Sequence, residues 1–212
     1  MEATARRRRV AVRQNRRVGF NLAALLYTHD AESAVPSATD VVSILFPRSR
    51  YKNLGRGTLE QNGFPNRGDI NVGTVGRGTV VATRDAMLFN PTKLHPRYLK
   101  VPLSRDVVLV AQQSVYDMFA FGHWTDGQLR RSISVNPVGK VWESIGDPEA
   151  FEAPFWAGEC PVGSDYPLPF HPLDMAEAAV RTYLGIYAEG QPTQGLIGPD
   201  RIQLELFGRR SS

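Results

Sequence analysis

The chain has 212 residues, 42% of them hydrophobic and 22% charged, the balance of an ordinary globular protein large enough for one substantial domain. No run reaches the roughly 18 consecutive apolar residues that a membrane helix needs, and no secretory cleavage pattern follows the basic start, so a cytoplasmic protein without a membrane anchor is expected. The single cysteine, Cys160, excludes an internal disulfide and a cysteine-rich zinc site, and no cofactor or metal is expected.

The formal net charge of +4 is unevenly placed. Residues 1–17 hold seven of the 25 basic residues (Arg6, Arg7, Arg8, Arg9, Arg13, Arg16 and Arg17) and one of the 21 acidic ones, so the remainder carries −2. This stretch has no periodicity that could bury a face, and it is read as a disordered basic arm ahead of a single domain over 18–212. Clustered arginines release counterions condensed on phosphate, which suits a nucleic-acid or polyanion tether. An inert tail fits the same residues. So does a mis-assigned start, because Val18 can be encoded by a GUG codon that bacteria read as methionine.

The apolar run Val18–Thr28 predicts a buried strand. Thr39–Phe46 predicts a helix capped by Ser37 or Thr39 and ended by Pro47. Residues 55–78 are glycine-rich, but Gly73, Gly76 and Gly78 reverse the nucleotide-fingerprint spacing and precede a strand, Thr79–Thr83. Turns between short strands are therefore expected there. Arg67-Gly68-Asp69 is taken as a chance match to an adhesion tripeptide. One helical turn is expected at Arg97–Lys100, and Asp106–Ala111 is apolar on both faces, as a central strand would be.

Asp117–Trp124 and Gln128–Val135 flank Asp126-Gly127, a dipeptide suited to a two-residue hairpin turn. With that turn Thr125 faces Gln128, Trp124 faces Leu129 and His123 faces Arg130. An unbroken register then places Met118, Ala120, Gly122 and Trp124 on one face with Leu129, Arg131, Ile133 and Val135. Lys140–Ile145 predicts a third antiparallel strand. Beyond Gly146, six prolines interrupt a stretch that also holds Phe151, Phe155, Trp156, Tyr166 and Phe170. Its aromatics argue against disorder, so it is read as an ordered strap packed over the sheet. Pro172 opens the clearest helix, with a stripe of Leu173, Ala176, Val180, Tyr183 and Leu184 and a stop at Gly185. Ile202–Phe207 alternates and suits a final edge strand. The sum is an α+β domain, a mainly antiparallel sheet with two principal helices on one face and the strap.

Several segments together resemble an uncharacterised bacterial family, a domain of unknown function. They are GFNLAALLYT at Gly19–Thr28, LFP at Leu45–Pro47, VGTVG at Val72–Gly76, FAFGHWTDGQLRRS at Phe119–Ser132, FEAPFWAGE at Phe151–Glu159 and YPLPFHPL at Tyr166–Leu173. The resemblance spans about residues 19–207 and implies no activity. It does imply a start just before Gly19, in keeping with Val18.

No G-x-S-x-G nucleophile pattern is present, and Cys160 beside Glu159 and Pro161 lacks the setting that lowers a thiol pKa. His29, His95, His123 and His171 show no metal-ligand spacing. The strap carboxylates Glu143, Glu152 and Glu159 could serve a hydrolase only if the fold pairs two of them. Of the candidate chemistries a binding groove is the most defensible, with Arg131 and Glu143 as polar groups among apolar walls that include Trp156. An arrangement in which Arg131 and Glu143 satisfy each other and Trp156 is core is equally economical and slightly favoured over it. The expectation is a non-enzymatic module that binds a small molecule or protein at the sheet–strap surface, with Arg131, Glu143, Trp156, Glu159 and His171 as candidate contacts. Nucleic-acid binding through the arm and hydrolysis by strap carboxylates are the alternatives.

Overall fold

The computed structural model describes residues 19–32, 34–85, 90–188 and 194–209. The basic arm, with all seven of its arginines, lies outside the described residues. Nine strands form one antiparallel sheet: β1 (Leu22–Thr28), β2 (Tyr51–Thr58), β3 (Ile70–Val75), β4 (Gly78–Thr83), β5 (Asp106–Gln113), β6 (Met118–Thr125), β7 (Gln128–Asn136), β8 (Lys140–Ile145) and β9 (Gln203–Arg209). Their spatial order is β2-β9-β3-β4-β1-β5-β6-β7-β8. Four helices accompany them: α1 (Ala38–Leu45), α2 (Leu59–Asn62), α3 (Ala153–Trp156) and α4 (Pro172–Leu184). The architecture is mainly sheet and fits the α+β class. Among the described residues, no helix is long and apolar enough to cross a membrane.

Both faces of the sheet are covered. In β1, Leu22, Ala24 and Leu26 enter one core, and Ala23, Leu25 and Tyr27 enter the other. Met175, Ala176, Ala179 and Val180 of α4 pack on the first face together with Phe151, Phe155, Leu168 and Phe170 of the strap. Val41, Val42 and Leu45 of α1 pack on the second, with Leu94 and Tyr98. This corrects the expectation of helices on one face only. Strands apolar on both faces, such as β1 and β5, leave either face exposed to water unless a layer covers it.

Ser37 caps α1, its Oγ accepting from the Asp40 N–H. Gly185, with φ +62°, ends α4. Two elements differ from the sequence reading at the far side of the sheet. β9 is an inner strand between β2 and β3, and the edge beside it is β2, whose sequence YKNLGRGT carries no strand pattern. Of the glycines compared with a phosphate loop, Gly73 lies in β3, Gly76 in the hairpin turn and Gly78 opens β4.

The β6–β7 hairpin turns at Asp126 and Gly127, both with positive φ, and pairs Thr125 with Gln128 and Trp124 with Leu129. A bulge between His123 and Trp124 then pairs His123 with Arg131 in place of Arg130. Every later residue of β7 changes face. Phe119, Phe121 and His123 therefore share the strap face with Arg131, Ile133 and Val135, contrary to the unbroken register. The shifted pairing sets Ser132 and Ser134 opposite Gly122 and Ala120, so the small residues meet on the other face. A Cβ at Gly122 would collide with the Trp124 ring, which occupies that space.

Gly146 ends β8 with φ +79°, and a Cβ there would collide with the Arg130 carbonyl. Gly146→Ala is expected to lose about 1–3 kcal/mol of stability. Urea unfolding at unchanged m-value checks this.

Candidate functional site

The β7 bulge delivers Arg131 to the strap face, where the sequence offers it a carboxylate from the first turn of the strap. Arg131 is 2% exposed and Glu152 is fully buried. Arg131 Nε donates to Glu152 Oε1 at 2.8 Å and Nη2 to Oε2 at 2.6 Å, a bidentate pair. Nη1 donates to Ser144 Oγ at 3.0 Å, to the Gly146 carbonyl at 3.0 Å and to the Ile145 carbonyl at 3.3 Å. Glu152 also accepts the Glu149 N–H at 3.0 Å and the Trp156 indole N–H at 3.1 Å. Two buried charges are thus enclosed by hydrogen bonds, the condition under which burial of an ion pair is tolerated. Arg131 does not pair with Glu143, as the sequence reading weighed, because the two lie on opposite faces.

Glu143 faces the α1 side. Its carboxylate accepts from Ser132 Oγ, from Thr92 Oγ1 at 2.6 Å and from the Thr92 N–H at 3.1 Å. Burial pushes this carboxyl up, but the bonds from Ser132 and Thr92, with a further one from Asn90, outweigh it and hold the group below its ordinary range. Glu143 therefore ties the 3-10 turn Pro91–Lys93 to the β7–β8 pair.

His123 sits beside Arg131 on the strap face. Its Nδ1 is 2.7 Å from Glu149 Oε1, its Nε2 is 3.8 Å from Asp106 Oδ1, and its ring meets Tyr183 edge-on at 5.9 Å. Burial, then the charge and hydrogen bond of Glu149, push the Tyr183 hydroxyl well above its ordinary range. His171 caps α4, its Nδ1 accepting the Leu173 N–H at 3.3 Å, and it stacks on Tyr166 with centroids 5.3 Å apart. Burial and the nearby Asp117 carboxylate push the Tyr166 hydroxyl up to about 12. Among the described residues, no three His, Cys, Asp or Glu side chains gather where they could hold a metal ion.

Of the five candidate contacts, Arg131 and Trp156 meet around Glu152. Glu143 is on the other face, Glu159 is exposed after α3, and His171 serves the start of α4. Glu143, Glu152 and Glu159 thus occupy three different settings. Reasoning from sequence gave Glu149 no part and Glu152 only that of a strap carboxylate. The spacing Glu149-x-x-Glu152 is that of a capping box, which both residues form at the 3-10 turn Ala150–Glu152.

What remains open around this cluster is β8. It is an edge strand, paired on one side by β7. Val141, Trp142 and Ile145 are 42%, 47% and 47% exposed, and Trp156 of the strap is 40% exposed. Asn136 Oδ1 accepts both the Trp142 indole N–H at 2.8 Å and the Gly139 N–H at 2.7 Å, which fixes the turn into β8. Exposed main chain flanked by tryptophans and aliphatic side chains can accept an added strand.

Replacing one partner of the buried pair, as in Arg131→Met or Glu152→Gln, is expected to cost about 3–5 kcal/mol, and joint replacement by Met and Leu to recover much of it. Equilibrium urea unfolding of the three variants checks this. Glu143→Gln is expected to be less stable than the parent at neutral pH. A carboxyl lowered in the folded state contributes its stability above the unfolded pKa and loses it as pH falls through the folded value. The gap between parent and variant should therefore shrink in unfolding curves taken below the ordinary carboxylate range.

No curated protein and no solved structure matches the chain. A family model does match, over residues 21–207, which takes in β1 through most of β9 and so the Arg131–Glu152 pair, β8 and the strap. The chain belongs to that family, DUF6928, a family of unknown function.

Proposed function

We propose that this protein is a non-enzymatic binding module that receives an extended segment of a partner protein along β8, beside Trp156. The observation that carries the reading is an edge strand, paired on one side only, on which Val141, Trp142 and Ile145 are exposed. The other edge, β2, carries two cations, Lys52 and Arg56, where β8 carries Lys140, and cations on an edge discourage strand addition. A register shift is present in both, between Asn53 and Gly55 on β2 and at Ser134/Val135 in the β7–β8 pair. On β8 the carboxylate of Glu143 turns inward to Ser132 and Thr92, so it adds little charge to the edge.

Size favours a peptide over a second copy of the chain. Six residues extend about 20 Å, while a stable dimer buries about 800 Å² on each partner. Main-chain hydrogen bonds would supply affinity, and the aliphatic and indole groups would select apolar side chains at alternate peptide positions. Against hydrolysis by strap carboxylates, Glu152 is consumed by Arg131, and Glu143 lies on the opposite face. Nucleic-acid binding through the arm would weaken steeply with salt.

Peptides of about eight residues selected by phage display against the whole protein provide the test. Bound peptide is expected to slow hydrogen exchange at the amides of residues 140–145. Ile145→Lys should weaken binding by about tenfold without changing Tm, and deletion of residues 1–17 should leave it intact. Protection confined to another surface, or binding lost with the arm, would overturn the reading.

A further inference from the structure

At the edge opposite β8, the end of α1, β2 and β9 form a surface rich in cations. From Val41 to Leu59 the chain carries Arg48, Arg50, Lys52 and Arg56 and no acid, in a domain of net charge −2. All four are exposed. Lys52 and Arg56 blunt the edge, but Arg48 and Arg50 precede the strand and have no part in that.

The fold brings further arginines to the same place. Arg209 pairs with Tyr51 across β2 and β9, so both side chains stand on the α1 face, where Tyr51 meets the Phe46 ring at 5.2 Å. The Arg97 guanidinium lies over Phe46, 5.0 Å from its centroid, and that of Arg84 lies 4.9 Å from the Phe64 centroid. Burial and the Asp85 charge push the Tyr51 hydroxyl up, while the charges of Arg209 and Arg97 oppose the shift, as two nearby guanidiniums must.

These cations are not spent on carboxylates. The arginine ion pairs among the described residues are Arg105–Asp126, Arg131–Glu152 and Arg181–Glu177, all elsewhere. Of the acids near the surface, Asp85 accepts from the Tyr98 hydroxyl at 2.8 Å and Glu205 from Asn53 Nδ2 at 2.9 Å. Asp69 is the third, and cations outnumber the three. A guanidinium laid on a ring is held in place without an acid, so it loses less freedom when an anion arrives.

Between α1 and β2, a cleft of about 440 Å³ places Thr39, Ser43 and Ser49 beside Arg50 and Tyr51, and no acid lines it. Guanidinium and hydroxyl groups are the side chains that meet phosphate oxygens. β2 extends about 26 Å, and the phosphates of one duplex strand recur every ~3.4 Å along the axis. Rings free to stack on unpaired bases are missing here. Phe46 and Phe207 are buried, Phe64 lies under Arg84, and Tyr51 is tied by its hydroxyl to the Gly68 carbonyl. Leu54 is the one exposed large apolar side chain of β2, too little to insert into a bilayer.

We infer that this surface binds duplex nucleic acid through its phosphate backbone, without reading its sequence. The binding belongs to the domain itself and depends neither on the arm nor on the peptide reading of β8.

The test follows the anisotropy of a labelled DNA duplex of about 20 base pairs, with the full chain in which the seven arginines of residues 1–17 are changed to glutamine. That chain is expected to bind, with log K falling against log salt by about 0.9 per phosphate met. Duplexes of unrelated sequence should bind within about twofold of one another. Arg50→Ala and Arg209→Ala, both at exposed positions, should each weaken binding about three- to tenfold and reduce the salt slope by about 1, at unchanged Tm. Arg130→Ala, on β7, should change neither. Loss of all binding once the arm is neutralised, or binding indifferent to Arg50 and Arg209, would overturn the proposal. So would capture by phosphatidylserine vesicles in place of the duplex, which would assign the surface to a membrane.

Discussion

Arg131 and Glu152 meet where water cannot reach, and much of the strap side of the sheet follows from that contact. A guanidinium and a carboxylate in such a place are tolerated only if nearly every donor and acceptor is met. Meeting them fixes three segments at once. β7 supplies the arginine, the end of β8 supplies two carbonyls and a serine hydroxyl, and the first turn of the strap supplies the carboxylate. Trp156 is held through the same carboxylate, with its ring against Phe170. The strap is therefore anchored at its start by charge and further along by Phe155, Leu168 and Phe170 in the core.

This anchoring bears on function through the two edges of the sheet. An edge strand is a hazard unless it is blunted, and β2 is blunted by the charges of Lys52 and Arg56. β8 instead presents aliphatic and indole groups, and it is braced on both faces, by Arg131 on one and Glu143 on the other. A strand stiffened in this way loses little freedom when another strand joins it, which lowers the entropic cost of association.

Much of this fold was legible in the residues because local chemistry and global structure agree. Asp126-Gly127 turns where positive φ is cheapest, Ser37 and Gly185 bound helices, and the two-sided apolar runs of β1 and β5 are central strands. The β6–β7 bulge was not legible, since one extra residue changes which side chains share a face while leaving the turn intact. That single shift separates Arg131 from Glu143 and gives it to Glu152. β2 escaped notice because its pattern reflects exposure at an edge, and β9 alternates in the way either an edge or an inner strand can.

The most direct measurement is native-state hydrogen exchange across β8 and residues 149–156, in the parent protein and in Glu152→Gln. If the buried pair holds the strap and the edge strand as one unit, both segments should lose protection together in the variant, while β1 and β4 keep theirs relative to global unfolding. Protection of β8 that stays unchanged while the strap alone opens would show that the edge is held independently of Arg131 and Glu152, and would contradict the account.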